Sequence, residues 1–237
     1  MHRKKTGIII QARIGSQRLP GKVLMNLAGK PLLEQVIERC KKIQRADEII
    51  LATSDLEADN PVADLGKQRN IEIFRGSEAD VLGRFVQAAK LYQIDTVVRI
   101  CADSPLIDPQ LADLTIERHH NSQADYSSMT VKRTYPKGVE TEVIETKTLE
   151  YLESNISDPI YREHVTNYIL ENKDQFKIES IEAQGKLRRP DINVCVDTLE
   201  DFNRVETILC QAKQTNLFPY AKDIIEIYDS LSLKQQG

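Results

Sequence analysis

The chain has 237 residues, 32 Lys and Arg against 36 Asp and Glu, and a formal net charge of −4. Its 41% hydrophobic and 29% charged residues are those of a soluble globular protein, long enough to bury a core without disulfide or metal staples. The acidic balance argues against a general nucleic-acid binder, which carries a basic excess, but leaves room for a nucleotide site built from one local basic loop.

Gly7–Ala12 (GIIIQA) is a short β-branched run, as expected of a strand buried on both faces. A polar loop, Arg13 to Lys22, follows. Pro31 opens a helix with Leu32, Leu33, Val36, Ile37 and Cys40 at helical spacing. Glu48–Thr53 reads as a second strand, Asn60-Pro61 as the N-cap and first residue of a short helix, and Ile71–Phe74 as a third strand. Ser77, with Asp80 three residues on, predicts a capping-box-like start to a helix that carries Val81, Leu82, Phe85, Val86 and Ala89. Thr96–Cys101 is a fourth strand, and Asp108-Pro109 caps the next helix.

This strict alternation implies parallel strands with crossover helices. The second half is less regular. Strands are expected at Ala124–Val131, Gly138–Ile144, Phe176–Ala183 and Ile192–Val196. Helices are expected at Thr148–Ile156, Ile160–Asn172, Leu199–Ala212 and Tyr220–Leu231. No Gly/Ser/Pro-rich linker divides the halves, so the expectation is one mixed-sheet α/β domain over 1–237, with a subregion around 130–190. The final Lys234-Gln-Gln-Gly reads as a frayed tail.

Cysteines at 40, 101, 195 and 210 show no paired metal-ligand spacing. Three of them sit in apolar runs, which suggests free thiols and a reducing, cytoplasmic setting. The apolar run Gly7–Ala12 is interrupted by Gln11 and closed by Arg13, too short for a signal peptide, and no segment approaches a membrane span.

The loop after the first strand reads Gln11-Ala12-Arg13-Ile14-Gly15-Ser16-Gln17-Arg18-Leu19-Pro20-Gly21-Lys22. In open α/β sheets ligands bind beyond the carboxyl ends of strands, where this loop begins. Its glycines let the backbone approach a ligand, while Arg13, Arg18 and Lys22 suit phosphate oxygens. A solvated loop with incidental cations is the alternative. The spacing from Gly15 to Gly21-Lys22-Val23 fits no Walker pattern, and no Gly-x-Gly-x-x-Gly run is present.

Asp103 and Asp197 each follow an apolar run and so stand just past the ends of expected strands. Mg²⁺ is commonly held by one or two carboxylates plus substrate phosphates, so the pair and the loop are the parts expected of metal-assisted nucleotidyl transfer. Asp197 could equally cap the helix from Leu199, and Asp103 could merely start a turn. His164 lies on an amphipathic helix, a place where a lone His is more often structural. His119-His120 reads as a solvated helix end, and no Ser-His-Asp set follows from local patterns.

The loop Ala12–Lys22 resembles the signature of the CMP-sugar synthetases, the cytidylyltransferases acting on 3-deoxy-manno-octulosonate and acylneuraminates, and most of all the spore coat polysaccharide biosynthesis protein F family. Matching blocks continue at Arg75–Phe85 (RGSEADVLGRF), Ala102–Asp108 (ADSPLID), Arg162–Thr166 (REHVT) and Asn193–Thr198 (NVCVDT). Each later block is weak alone, but their order along the chain is persuasive.

The resemblance implies a nucleotide-diphospho-sugar transferase fold, Rossmann-like, with CTP as donor and Mg²⁺ as cofactor. It places Ala12, Arg13, Gly15, Ser16, Arg18 and Lys22 on the nucleotide and its phosphates. Arg75, Gly76, Ser77 and Asp80 would lie toward base and ribose, and Asp103 and Asp197 on the metal. Lys22, Arg13 and Asp103 would be catalytic, and Arg162 and His164 would face the acceptor, a 2-keto sugar acid. The setting implied is surface polysaccharide biosynthesis, in a homodimer with no nucleic-acid partner. The 130–190 subregion would serve acceptor binding or dimerisation.

Ser104 departs from the octulosonate enzymes, which carry an acidic residue there, and Arg162-Glu163-His164 replaces their sugar-recognition segment. A glycosyltransferase, a nucleotidyltransferase for another base, and a non-catalytic nucleotide-binding protein remain as alternatives.

Overall fold

The computed structural model describes residues 3–234, so Gln235–Gly237 of the expected frayed tail lie outside the described residues. The elements in chain order are β1 (Thr6–Gln11), β2 (Asn26–Leu27), β3 (Lys30–Pro31), α1 (Leu32–Cys40), β4 (Glu48–Ser54), α2 (Asn60–Gln68), β5 (Glu72–Gly76), α3 (Val81–Leu91), β6 (Thr96–Cys101) and α4 (Pro109–Ser122). They continue with β7 (Tyr126–Ser128), β8 (Glu142–Glu145), α5 (Thr146–Asn155), α6 (Pro159–Glu163), α7 (Asn167–Glu171), β9 (Ile178–Ser180), α8 (Leu199–Gln214) and α9 (Ala221–Lys234).

Seven strands form one sheet in the order β5-β4-β1-β6-β8-β7-β9, and β2 pairs with β3 in a small separate hairpin. Parallel pairing joins β5, β4, β1 and β6, while β8 is antiparallel to both β6 and β7, and β9 is parallel to β7. Within this sheet β8 alone runs against the rest, so the expected mixed, mostly parallel sheet flanked by helices is the architecture found.

Alternation along β1 builds both layers. Ile8 and Ile10 pack into a cluster with side chains of α1, α2, α4, α8 and α9, whereas Ile9 faces α3, α5 and α7. A central strand must be apolar on both faces, which is why GIII carries no polar residue. Among the described residues no helix is long and apolar enough to cross a membrane.

Five expectations change. Ile192–Val196 is no strand; it touches its neighbour through a single bridge, Lys137 to Asn193. Only Val194 N–H crosses to that neighbour, at 2.7 Å from Lys137 O; Cys195 N–H donates to Asn193 Oδ1 at 3.0 Å and Val196 N–H to Asp103 O at 2.8 Å. The helix expected over Ile160–Asn172 is two short helices, broken at His164, where β-branched Val165-Thr166 follow and both turn inward.

The caps also shift. Asn60 lies inside α2 and Asp59 precedes it, and α3 is capped by Asp80, whose Oδ1 accepts Gly83 N–H at 2.9 Å, rather than by Ser77. His119 is not solvated: it is 1% exposed, its Nδ1 2.8 Å from Ser127 Oγ and its Nε2 3.1 Å from Glu145 Oε1. This Ser-His-Glu set is closed to substrate, because Ser127 is fully buried.

Candidate active site

The loops that leave the carboxyl ends of β1, β4, β5 and β6 meet at one edge of the sheet. The loop after β1 is folded on itself: Gly21 N–H donates to Ile14 O at 3.2 Å and Ser16 N–H to the same carbonyl at 2.7 Å. Ile14 N–H is held in turn by Asp59 Oδ1 at 2.7 Å, and the other oxygen of that buried carboxylate accepts from Ser54 Oγ. Gly21 has φ +70°, a backbone state that glycine adopts without strain, and the chain then turns into a 3₁₀ turn that begins with Lys22.

Lys22 is therefore buried and aimed across the sheet edge. Its Nζ donates to Val196 O at 2.6 Å and to Asp197 Oδ1 at 3.3 Å, and lies 3.9 Å from Asp103 Oδ2. The carboxylates of Asp103 and Asp197, 94 positions apart in the sequence, thus converge on one ammonium. Asp197 also meets Arg18 NH2 at 2.9 Å and Lys137 Nζ at 3.5 Å. Burial alone would push the Asp197 carboxyl up, but Lys22, Lys137 and Arg18 outweigh it and hold it below the ordinary range.

Asp197 does not cap α8. Thr198 does, in a reciprocal capping box with Asp201, which leaves the Asp197 carboxylate free of the helix. Ser104 donates its hydroxyl to Asp103 Oδ1 at 3.2 Å.

A second group lies along the same edge. Arg13 pairs with Glu78 at 3.6 Å and Glu163 at 3.2 Å, which brings the Arg162-Glu163-His164 run to the loop. A Cβ on Gly15 would stand 2.9 Å from Glu78 Oε1, so the loop and the 77–80 segment are close. Arg162 pairs with Asp80 and donates to Glu153 O at 3.0 Å, tying α6 to the start of α3. His164 is exposed.

Ala12 is buried at the end of β1, its N–H donating to Ala52 O, and Ser16 Oγ accepts Leu19 N–H at 3.4 Å. Arg75 spends its guanidinium on Ser54 O, Leu56 O and Asn60 Oδ1, bracing the chain between β4 and α2. Gly76 ends β5 and Ser77 follows it, where the buried Arg84 donates to the carbonyls of Ser77 and Glu78.

Sequence reasoning missed Asp59, Lys137 and the pair Arg99–Glu142 below the edge. Asp59 was hidden behind the Asn-Pro helix signal, and no local pattern marks Lys137. Arg99, Glu142, Lys137, Glu140, Asp103 and Ser104 line a cavity of ≈ 230 Å³ beside the two aspartates. Cys195, also in its wall, is pushed up to about 12 by burial and then by Asp103, so its thiol stays protonated.

Among the described residues no group of three or more His, Cys, Asp or Glu side chains is placed to hold a metal. The donor set fits Mg²⁺ in the other way this ion is bound, by two carboxylates completed with phosphate oxygens.

The chain is similar to several known proteins. Spore coat polysaccharide biosynthesis protein SpsF of Bacillus subtilis is 32% identical over 209 residues, covering 86% of each chain. A 3-deoxy-manno-octulosonate cytidylyltransferase of Anaeromyxobacter sp. (strain K) is 36% identical over 115 residues, 48% of this chain and 46% of that one. The solved structure of a cytidylyltransferase from Leptospira borgpetersenii serovar Hardjo-bovis superposes with a TM-score of 0.88 at 27% identity, covering 99% of this chain and 96% of the other. A family model described as cytidylyltransferase matches residues 7–224, from the first isoleucine-rich strand to the last helix, and the chain belongs to that family.

Proposed function

We propose that this protein transfers CMP from CTP to the anomeric hydroxyl of a 2-keto sugar acid, with release of pyrophosphate, in the cytoplasmic steps of surface polysaccharide biosynthesis (spore coat or cell envelope). The observation that carries this reading is the convergence of Asp103 and Asp197 on Lys22 at the edge where the cationic loop ends. A scaffold protein has no need to bring two carboxylates and a buried ammonium together.

In this reading Arg13, Ser16 and Arg18 hold the triphosphate, with Ala12 and Gly15 giving it close backbone approach. Arg75, Gly76, Ser77 and Asp80 form the side toward base and ribose, Arg75 and Asp80 by shaping the segment. The acceptor hydroxyl gives its proton to solvent as its oxygen attacks the α-phosphorus, a new P–O bond forms, the bond from that phosphorus to the oxygen bridging to the β-phosphate breaks, and pyrophosphate leaves with that bond's electron pair. Lys22 stands where charge changes in this exchange, so catalysis is positioning and charge neutralisation. Asp103 and Asp197 would hold Mg²⁺, which supplies further neutralisation of the phosphates when bound.

Arg162 and His164 stand on the acceptor side, on the run that Glu163 ties to Arg13. The 130–190 subregion also offers a face for pairing two copies into a homodimer, since Tyr151 and Ile160 leave large apolar side chains exposed there. The test is thermal stabilisation by each of the four nucleoside triphosphates, followed by pyrophosphate release from the best one with Mg²⁺ and a panel of keto-sugar acids. Stabilisation by CTP alone, with release that depends on an acid acceptor, is expected. Preference for another base, or no release with any acceptor, would overturn the reading.

A further inference from the structure

We propose that Asp59 is a positioning residue for nucleotide transfer: its buried carboxylate sets the loop after β1 in its working shape before the nucleotide arrives. This deepens the cytidylyl-transfer reading above and rests on it.

Asp59 stands immediately before α2, where an aspartate ordinarily turns its side chain back to cap the helix. It makes no such bond. The carboxylate points the other way: Oδ1 accepts Ile14 N–H at 2.7 Å, from 45 positions away in the sequence, and Oδ2 accepts from Ser54 Oγ at the end of β4. The residue is 3% exposed. A carboxylate withdrawn from water is costly unless it is bonded. The fold thus forgoes a helix cap and keeps a buried charge, and what it gains at that position is the grip on Ile14.

The grip has a rigid base. Asp59 N–H donates to Leu56 O at 3.0 Å, and Arg75 ties down Ser54 O, Leu56 O and Asn60 Oδ1 on both sides of it. The charge is shared as well: burial, then Arg13, pushes the Arg84 guanidinium down, and Asp59 is first among the carboxylates that oppose this.

Ile14 passes the constraint on. With its N–H fixed, its carbonyl accepts both Ser16 N–H and Gly21 N–H, which closes the loop just before Lys22. The peptide that joins Ile14 to Gly15 is planar and trans, so Gly15 N–H points away from that closed ring. Gly15 is exposed and, among the described residues, its N–H meets no acceptor. One carboxylate therefore fixes two features that a triphosphate would meet. They are a backbone donor turned outward at Gly15 and, through Gly21, the point from which Lys22 starts. A loop set in advance loses less freedom on binding, and the difference appears as affinity.

The test uses the full chain, its Asp59→Ala and Asp59→Asn variants, and the double variant Ser54→Ala/Asp59→Leu, which removes the acceptor while filling its space and leaving no Ser54 hydroxyl unpaired. Hydrogen exchange of the 13–22 segment is followed by mass spectrometry with no nucleotide present, and CTP affinity with Mg²⁺ is measured by calorimetry. In Asp59→Ala and in the double variant, exchange in 13–22 should quicken on the order of 10–100-fold, the range of one hydrogen bond to a charged group. CTP affinity should fall by a similar factor, while exchange in β4 and β6 stays within about twofold. Asp59→Asn keeps the accepting oxygen and should return both quantities to within about threefold of the parent protein. A residue that merely stabilised the fold would quicken exchange across the whole sheet and leave the CTP affinity of the folded molecules unchanged.

Unchanged exchange of 13–22 in both acceptor-free variants overturns the proposal, as does faster exchange there with CTP affinity intact; neither result touches the transfer reading. A parent protein that binds no CTP overturns that reading and this proposal with it, a failure told apart from the others because it arises before any substitution.

Discussion

Lys22 is the residue on which the loop, Asp103 and Asp197 meet, and its burial makes it a fixed charge rather than a mobile one. An ammonium placed where charge changes during attack should matter more to turnover than to binding. Lys22→Ala is expected to lower kcat on the order of 10²–10³-fold with a much smaller loss of CTP affinity. Lys22→Arg should not restore the rate, because a planar fork does not replace a point charge that also serves Val196 O. Steady-state pyrophosphate release beside calorimetry decides this; equal losses in kcat/KM and CTP affinity, with kcat intact, would make Lys22 a binding cation only. The two aspartates give a companion test. Asp103→Asn and Asp197→Asn should each abolish Mn²⁺ binding in the presence of CTP, read by electron paramagnetic resonance. The melting temperature should move by only a few degrees, because neither carboxylate caps a helix. Retained Mn²⁺ binding in both variants would remove the metal assignment.

At the scale of elements, the loop that carries Asp103 is held by two buried charges on its far side. Asp108 caps α4 through Oδ1, accepting Gln110 N–H at 2.8 Å and Leu111 N–H at 3.2 Å, and its Oδ2 accepts Ala221 N–H at 2.6 Å at the start of α9. Arg39, on α1, donates to Ile107 O at 3.1 Å and to Pro219 O at 3.0 Å. Burial lowers that guanidinium to about 10, with Asp108 opposing the shift, so it stays charged at neutral pH. One carboxylate thus joins two helices that lie 112 positions apart. Asp108→Ala should cost about 2–4 kcal/mol, a lost cap plus a lost bond to a charged acceptor, measured as a shift of the urea midpoint. A change below about 1 kcal/mol would mean that α9 docks without it. The Asp-Pro signal announced the cap, but nothing local announced the second bond, because Ala221 reaches Asp108 only through tertiary packing.

For the whole molecule, the edge of the sheet opposite the active site is a stability device, with His119, Glu145, Lys4 and Thr96 in one network. Burial alone would raise the Glu145 carboxyl, but hydrogen bonds from His119 and Lys4 outweigh it and hold it at about 2, against an ordinary 4.5. A carboxylate depressed by folding contributes stability that is complete above its unfolded value and is lost as pH falls through the folded one. Glu145→Gln should therefore cost roughly 2–3 kcal/mol at pH 7, and the gap to the parent protein should close between about pH 4.5 and 2, followed by urea unfolding across pH. A gap that does not vary with pH would show that the charge is not what stabilises. Periodicity and punctuation by themselves determined the first half of the molecule. Strands buried on both faces must be continuously apolar, and crossover helices must be amphipathic, so GIIIQ, EIILATS and TVVRIC and the helices between them are legible one segment at a time. The loop after β1 was legible for a similar reason, since three cations and two glycines within ten residues need no distant partner to be noticed. Tertiary structure alone decided the rest. Ile192–Val196 has the composition of a strand, yet Asn193 and Asp103 take the N–H groups that a ladder needs. Lys137 carries no local signal, and only a glycine with positive φ brings its segment against the chain leading to Asp197. Such contacts depend on which segments share an edge of the sheet, and no local spacing encodes that.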